Sequence, residues 1–413
     1  MLKWFRAQIQ ERFKLDALVS WVIFLLPVYL IRFKLGQIPT NLFEFLAGMS
    51  IVWFLLIRQV FKIDLGGVKT YLAPICLIIF GVLLSTLLNG SYSQGFGILK
   101  GWFVMPIFFA WVATEVLLKK KLLKSMYYSG MGVAAVAWIY FLLGELTYDG
   151  RLKTFYNSPN YLAMFLVPTI LIGSVFWKEN KIRHSIELAI ASLALYWTFS
   201  YAAWLAVLSG LMLVAFFQTG RLSWKNIASF ILVGSLIILG QMDTSKWNDL
   251  WQLKERSSLS SRMMIWRSAG KIIADNPLWG IGPGNFQNKY LEYQKYYPPY
   301  LEWAVPEPHN LWLAFWLQTG FLGLLGFLIL LYQWSKVVIR SLKDSPEKEM
   351  IAVGAIMLAT LTHGLLDTPY FKNDLAVIFW LVIFMGIKNA SALKHSSNCL
   401  KSHRHKIACW LKF

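Results

Sequence analysis

The chain has 413 residues, of which 57% are hydrophobic and only 15% are charged. This balance excludes an ordinary soluble globule and favours a protein whose solvent is largely lipid. A net charge of +19 would suggest nucleic-acid binding in a soluble protein, but in a membrane protein it indicates lysine and arginine concentrated on the cytoplasmic side. We therefore expect membrane lipid, and no nucleic acid, among the partners.

About twelve segments are long and apolar enough to cross a bilayer, since a spanning helix needs about 20 residues. We predict spans near residues 17–34, 41–61, 70–89, 95–118, 123–146, 160–177, 184–199, 201–218, 226–242, 310–333, 350–367 and 373–389. The predicted fold class is therefore an all-α integral membrane protein with about twelve transmembrane helices. Its basic start leads directly into the first apolar stretch without a small-residue cleavage site, which favours a cytoplasmic lead over a cleaved signal.

The basic residues set the orientation of these spans, because cytoplasmic loops carry the excess of lysine and arginine. With the N-terminus inside, 26 of the 40 Lys and Arg residues lie in cytoplasmic segments, eight lie in one long loop, and six lie in short outer segments. We predict a protein of the inner or plasma membrane with both termini cytoplasmic. The long loop, and any active site on it, would be extracytoplasmic.

This orientation divides the chain into four parts. We predict an N-terminal bundle of about nine helices at 1–242, a long loop with short helices at 243–309, about three further membrane helices at 310–389, and a basic tail at 390–413. A loop this long is uncommon and is often functional. The tail contains cysteines and histidines, but we interpret it as a basic segment on anionic lipid and predict no metal site and no cofactor.

Two histidines remain for chemistry on the outer side, because the other four lie on the cytoplasmic side in this topology. His309 follows Pro306 and Pro308, which favour a helix that begins right after them and would place His309 in its first turn. The positive end of a helix dipole disfavours an imidazolium there, and a neutral imidazole is a competent general base. The alternative is an interfacial histidine that reaches toward water.

The spacing after His309 supports the functional interpretation. At 100° per residue, Gly320 and Gly323 would share the face of His309 on one helix. Small residues let a neighbouring helix approach closely, so we expect these glycines to fix the rotation of the helix and aim the imidazole into the bundle. Ordinary glycine packing below an interfacial histidine is the alternative.

The long loop contains "SSLSSRMMIWRSAGKIIADNPLWGIGPGNF", residues 257–286. A helix from Ser260 or Ser261 to about residue 274 would place Arg262 in the centre of its apolar stripe and Arg267 on the opposite, polar face. An arginine on a buried face needs an anionic partner, so Arg262 is the better candidate for binding phosphate. A salt bridge or stacking on Trp266 is the alternative for Arg262, and a plain turn is predicted for "GIGPGNF".

Other polar groups lie at the outer ends of predicted spans. His363 and Asp367 are four residues apart, so they would share a helix face and pair, either in the site or as a brace for the bundle. Lys100 is either a lysine that reaches toward water or a cation that faces the site. Asn160 opens the sixth span, where helix capping alone explains it.

Together these motifs resemble the O-antigen ligase/polymerase superfamily of bacterial envelope glycosyltransferases. Its ligase pattern is His, then Asn, Ser or Gln, nine residues, Gly, two residues, and Gly, Thr or Tyr, and the stretch from His309-Asn310 through Gly320 to Gly323 matches it in full. The arginine–tryptophan helix, the glycine-rich turn, "TFYNSPNYLA" and "THGLLD" are also similar to family segments. The resemblance covers roughly residues 150–390.

One position departs from that family. A Ser-Arg pair commonly opens the span after the central outer turn, and its arginine is thought to grip the lipid diphosphate. Here the pair is Ser200-Tyr201, and Tyr201 cannot supply the charge. We expect Lys100 to compensate.

The resemblance implies a GT-C-like glycosyltransferase that moves a glycan from a polyprenyl (undecaprenyl) diphosphate to a hydroxyl of a glycolipid, polysaccharide or protein, with inversion and without metal. It implies His309 as the base and Arg262, Arg267 and Lys100 as donor-diphosphate ligands. Supporting positions are Asn160, Asn310, Gly320, Gly323, His363 and Asp367. A repeat-unit polymerase or protein O-oligosaccharyltransferase, and outside the enzyme class a flippase or transporter of lipid-linked glycans, are the alternatives.

Overall fold

A computed structural model describes residues 2–57, 65–221, 223–242, 258–298 and 305–388. The predicted basic tail lies outside the described residues, as do residues 243–257 and 299–304 of the long loop. Within the described part the chain is mostly helical, with one small antiparallel hairpin.

The helices are numbered here in chain order. Helices α1–α6 are Leu2–Phe24, Leu42–Ile57, Leu65–Leu88, Tyr92–Ile98, Met105–Val116 and Lys119–Leu142. Helices α7–α10 are Pro159–Phe176, Lys181–Tyr196, Tyr201–Thr219 and Trp224–Leu239. Helices α11–α14 are Ser258–Asp275, Phe286–Tyr293, Leu311–Asp344 and Lys348–His363, and residues 373–388 form α15. A π-helical turn, Leu99–Val104, joins α4 to α5, and short 3-10 turns lie at Leu26–Leu30, Trp177–Glu179 and Gln294–Tyr296.

The predicted membrane class is confirmed in its coarse form. In the described ranges, five helical segments are long and apolar enough to cross a bilayer, and two more apolar helices are shorter. The five are Val68–Leu88, Tyr92–Val116, Pro159–Glu179, Tyr201–Thr219 and Leu311–Asp344, and the shorter two are Leu42–Ile57 and Trp224–Leu239. The count of about twelve spans and the GT-C arrangement stay predictions.

The first predicted span extended too far. Helix α1 ends at Phe24, and after a 3-10 turn the chain forms a hairpin of β1, Arg32–Leu35, and β2, Ile38–Asn41. Arg32 pairs with Asn41 in this hairpin, directly before α2 begins. The apolar composition suggested a continuing helix, but strands this short leave almost no periodic signal in the sequence.

Helix α13 is the central packing element near the site, and it packs mainly against α3. The rings of Phe315 and Phe327 on α13 stack with centroids 3.8 Å apart. Tyr370 and Phe371 pack onto Phe315 at centroid distances of 5.0 and 5.2 Å. This buried aromatic cluster fixes the segment between α14 and α15 against the start of α13.

Helix α13 is interrupted at Gly320, whose φ of 65° and ψ of −175° are not helical. The glycine-rich turn after α11 docks there: Phe321 N–H donates to Leu278 O at 2.9 Å, and Ile281 N–H donates to Leu317 O at 2.8 Å. A methyl group on Gly320 would lie 2.6 Å from Leu278 O. Gly320 is therefore required by a positive φ and by a docked turn, and the predicted face shared with His309 on one straight helix is wrong.

Gly323 does have the predicted role of a small residue at a helix contact. A methyl group on Gly81 of α3 would lie 2.5 Å from Gly323 N, so α3 and α13 approach closely at this pair of glycines.

Candidate functional site

His309 lies just outside α13 and not in its first turn as predicted. The Asn310 side chain is the N-cap, since its Oδ1 accepts from Trp312 N–H and Leu313 N–H at 3.0 Å each. An asparagine oxygen satisfies helical N–H groups that have no partner within the helix, so α13 begins one residue later, at Leu311. The helix periodicity used to relate His309 to the glycines does not apply to a residue before the cap.

The backbone of His309 is held in an unusual conformation. Its φ of 47° lies in the left-handed region, which costs a non-glycine residue free energy and persists only where surrounding contacts enforce it. Trp266 Nε1–H donates to His309 O at 3.3 Å, and Leu311 N–H donates to Gly364 O at 2.8 Å. These bonds anchor the carbonyl group of His309 to α11 and the residue two positions after it to the end of α14.

The side chain of His309 pairs with Asp367. Nδ1 of the imidazole lies 3.0 Å from Oδ1 of a carboxyl group that is only 2% exposed. Burial raises the pKa of Asp367, but the charges of His309 and Arg262 outweigh burial and hold that pKa well below its ordinary value. An ionised carboxylate only accepts hydrogen bonds, so Nδ1 carries a proton toward Asp367, and in a neutral imidazole the lone pair is then on Nε2.

The predicted pairing of the His363 and Asp367 side chains does not form. Helix α14 ends at His363, so Asp367 lies in the following turn and its carboxylate points to His309. Among the described residues no side-chain hydrogen bond or ion pair joins the two. His363 is 1% exposed, and its Nε2 has no hydrogen-bond partner in that part of the chain.

Asn160 connects Asp367 to a residue that the sequence interpretation missed. Its Nδ2 donates to Asp367 Oδ2 at 2.8 Å, while its Oδ1 accepts from Arg151 Nη2 at 2.7 Å. The capping interpretation of Asn160 is wrong, because the N-cap of α7 is Ser158, whose hydroxyl accepts from Asn160 N–H at 3.2 Å. The Asn160 side chain is therefore free to join the cluster.

Arg151 is a buried arginine, 9% exposed, in the loop before α7. Its Nε donates to Thr198 O at 2.8 Å, and its Nη1 lies 4.0 Å from Asp149 Oδ2. Burial lowers the pKa of the guanidinium, and the nearby Arg262 acts in the same direction. Arg151 also interacts electrostatically with Tyr201, the position at which the family pattern has its arginine.

Of the two arginines predicted on α11, only Arg262 reaches this cluster. Its Nη2 lies 3.9 Å from Asp367 Oδ2, and its side chain is 20% exposed. Arg267 lies on the exposed face, as predicted. The salt bridge that was the alternative prediction for Arg262 does form, and its partner is the site residue Asp367. The guanidinium has five N–H donors, and this one carboxylate does not use them all.

Lys100 lies in the π-helical turn and belongs to a neighbouring cavity. Its Nζ lies 2.7 Å from Glu44 Oε2 and also donates to Pro39 O. Within the described chain, no hydrogen bond or ion pair links Lys100 to Arg262 or His309. The structure therefore does not bring Lys100 into the cluster around Asp367.

Glu307 is a second acidic group that sequence reasoning missed. It is 5% exposed and accepts a hydrogen bond from Thr368 Oγ1, next to Asp367. Burial raises the pKa of Glu307 to about 7, although Lys372 and the Thr368 hydrogen bond act against that rise.

Among the described residues, the cluster contains an imidazole whose Nε2 has no hydrogen-bond partner, a buried carboxylate that orients the ring, and an arginine with donors that this carboxylate does not use. Such a set can accept a proton at Nε2 and stabilise an anion beside it. It lies where the first turn of α7, the start of α13 and the turn after α14 meet.

The family model described as O-antigen ligase matches residues 186–328, about a third of the chain. The matched range includes Arg262, His309 and Gly320, whereas Arg151 and Asp367 lie outside it. The predicted resemblance to the O-antigen ligase/polymerase superfamily is therefore confirmed. A comparison with curated proteins found no match.

Proposed function

We propose that the protein is a membrane glycosyltransferase, because residues 186–328 match the family model described as O-antigen ligase. It transfers a glycan from a polyprenyl (undecaprenyl) diphosphate to a hydroxyl group of an acceptor, on the extracytoplasmic side of the inner or plasma membrane. The observation that carries this proposal is the chain of contacts from His309 through Asp367 and Asn160 to Arg151, with Arg262 beside it.

The proposed reaction is one displacement. His309 Nε2 removes the proton of the acceptor hydroxyl while the oxygen forms a bond to the anomeric carbon of the donor glycan. The bond between that carbon and the phosphate oxygen breaks, and the polyprenyl diphosphate leaves with the electron pair. A single displacement inverts the anomeric configuration. Asp367 stabilises the imidazolium that forms, because its carboxylate accepts from Nδ1–H.

Arg262 is the proposed ligand of the leaving diphosphate. A guanidinium next to the base, with donors that Asp367 does not occupy, suits an anion whose charge grows as the bond breaks. Arg267 remains a second, weaker candidate because it lies on the exposed face of α11.

Arg151 is proposed to compensate for Tyr201. Nε, Nη1 and Nη2 of Arg151 are all directed at groups of the protein, so we assign this residue a positioning role. It fixes the Asn160 amide, which in turn holds Asp367. It also supplies a positive charge close to the position where the family pattern has one.

The chemical class of the acceptor distinguishes the ligase from the two related transferase activities. A repeat-unit polymerase transfers to a second lipid-linked glycan, and a protein O-oligosaccharyltransferase transfers to a protein hydroxyl, both with the same base and leaving group. We favour the ligase because the His309-to-Gly323 stretch has the ligase spacing.

Reconstitution tests the proposal. The full chain in liposomes receives a synthetic polyprenyl-diphosphate glycan and separate glycolipid, polysaccharide and protein acceptors, and the glycosidic product is measured by mass spectrometry. We expect Arg262→Ala to reduce transfer by about a hundredfold, with a smaller loss for Arg267→Ala. The control Lys271→Ala, which removes an exposed partner of Asp275 on the same helix, should retain wild-type transfer. Movement of the lipid-linked glycan across the bilayer without any glycosidic product would instead identify a flippase.

A further inference from the structure

A cavity of about 280 Å³ lies beside the His309 cluster. Its walls are the first 3-10 turn, the β-hairpin, the start of α2, helix α4, the π-helical turn, the residues just before and at the start of α7, and the residues that open α15. The lining includes Arg32, Glu44, Lys100, Trp102, Tyr161 and Lys372. Its volume is near the lower end of the range for small-molecule sites, about 300–1,000 Å³, and suits one sugar residue with its substituent.

Three basic residues line the cavity, which lies on the predicted outer side of the membrane, where the protein has few basic residues. Away from the long loop, the predicted topology leaves six lysines and arginines on the outer side, and Arg32, Lys100 and Lys372 are three of them. Among the described residues that line the cavity Glu44 is the one carboxylate, so the lining has an excess of positive charge, although Lys372 also interacts with the buried Glu307 and Asp374. A concave surface that is lined by positive charge raises the local concentration of negatively charged ligands.

Contacts within the lining hold two of the three basic residues, Lys100 and Lys372, in place. Glu44, 7% exposed, accepts from Thr40 Oγ1 at 3.0 Å and from Asn373 Nδ2 at 3.3 Å, in addition to its ion pair with Lys100. Lys372 Nζ lies over the Tyr161 ring, 4.3 Å from its centroid. Arg32 is exposed, and no hydrogen bond or ion pair joins its side chain to another residue in the described ranges.

Aromatic and amide groups complete the lining. Trp102 and Tyr161 are partly buried, and Tyr156 donates its phenol to Asp374 at 3.1 Å, so its ring is fixed. Asn157 offers its amide group to hydroxyls, and Asn373 offers its amide oxygen, since its NH₂ group donates to Glu44 and to Gly101 O. Ring faces with hydrogen-bonding amides suit a saccharide, and the added cations suit one that carries a carboxylate or a phosphate.

The cavity is contiguous with the proposed base. Asn160 donates to Asp367, and the next residue, Tyr161, lines the cavity. Lys372 also lines it and acts electrostatically on Glu307, two residues before His309. A sugar held here would therefore lie next to the residues that hold the cluster, although neither His309 nor the proposed diphosphate ligand Arg262 lines the cavity itself.

We propose that this cavity binds an anionic sugar residue of the acceptor and that Arg32 contacts its carboxylate or phosphate. The assignment to the acceptor rests on the proposed transferase function, whereas binding of an acidic saccharide does not. A binding experiment can therefore fail or succeed independently of transfer.

The experiment measures binding of digalacturonate and of its neutral counterpart, galactobiose, to the full chain in detergent by microscale thermophoresis. We expect digalacturonate to bind more tightly, and Arg32→Gln to weaken its binding about tenfold without changing that of galactobiose. Arg32→Lys should restore most of the affinity. The matched control is Lys34→Gln, which removes an exposed cation two residues along β1 that does not line the cavity.

Two further arms separate the alternatives. His309→Ala should still bind digalacturonate, because the cavity lining does not include His309. Short-chain phosphatidylglycerol and phosphatidylcholine test whether a lipid headgroup is the ligand. Equal binding of both disaccharides, no effect of Arg32→Gln, or an Arg32-dependent preference for phosphatidylglycerol without binding of digalacturonate would each overturn the proposal.

Discussion

Nδ1 of His309 lies 3.0 Å from Oδ1 of Asp367, although 58 positions separate the two residues in the chain. A backbone hydrogen bond from Leu311 N–H to Gly364 O joins the start of α13 to the end of α14 and brings their flanking residues together. The turn after α14 thus delivers a buried carboxylate to a histidine that lies just ahead of a helix cap. This arrangement fixes the proton on Nδ1 and leaves Nε2 for chemistry.

Replacing Asp367 by Asn tests whether the carboxylate controls the histidine. An amide can present either its oxygen or its NH₂ group to Nδ1, so the useful tautomer is no longer enforced, and no negative charge balances the imidazolium. We expect kcat for glycan transfer to fall by about a hundredfold or more. Asp275→Asn, which alters an exposed carboxylate on α11, is the control and should keep the wild-type kcat.

Arg151→Gln tests the positioning role of the buried arginine. The substitution removes the donors to Asn160 and Thr198, so Asp367 is held less well; we expect kcat to fall about ten- to a hundredfold while KM for the donor changes less than about twofold. Arg151→Lys keeps the charge without the forked geometry and should recover little activity. Lys153→Gln in the same loop is the control. A rise in donor KM with unchanged kcat would show that Arg151 binds the diphosphate directly.

Gly320→Ala tests the docked turn. A side chain there is strained at φ 65° and meets Leu278 O, so we expect a loss of roughly 1–3 kcal/mol or more in the free energy of unfolding. Gly270→Ala is a control with the opposite sign: this helical glycine has open space around it, and alanine should stabilise α11 by up to about 1 kcal/mol. Unfolding by sodium dodecyl sulfate in mixed micelles measures both, and equal stability of the two variants would contradict the role of Gly320.

The raised pKa of Glu307 predicts that the free energy of unfolding depends on pH. Burial raises the pKa of Glu307 from an ordinary 4.5 to about 7, so the folded protein binds this proton more tightly than the unfolded chain. The resulting stabilisation is complete below pH 4.5 and is lost as the pH rises through about 7, by at most about 3 kcal/mol. We expect Glu307→Gln, always neutral, to lose less stability than the wild type between about pH 4.5 and 7. The exposed Glu292→Gln should follow the wild type; identical profiles for all three proteins would rule out a titrating Glu307.

Hydropathy predicted the helical segments well, because each apolar stretch must satisfy its own backbone hydrogen bonds in lipid. The start of α13 was misplaced because Pro308 suggested an earlier helix, whereas Asn310, a strong capping residue, was the better sign. Asp367 was identified, but its partner was not, since a contact across 58 positions leaves no local pattern.

Arg151 could have been found by a different signal. It is one of the six basic residues that the predicted topology leaves in short outer segments, against the usual bias. Three others of that group, Arg32, Lys100 and Lys372, line the cavity next to the cluster. A lysine or arginine in a predicted outer segment, where such residues are rare, is thus a useful indicator of a functional site. The structure is still needed to show which way its side chain points and what it binds.

Glycan transfer by His309→Ala is the most direct test of the account. The variant is compared with the wild type in liposomes that contain a polyprenyl-diphosphate glycan and acceptor, at equal amounts of folded, inserted protein. We predict that His309→Ala inserts normally, still binds digalacturonate, and loses transfer by at least about a hundredfold, because His309 Nε2 is the proposed acceptor of the hydroxyl proton in the cluster beside Arg262. Transfer at the wild-type rate by His309→Ala would contradict the assignment of His309 as the general base.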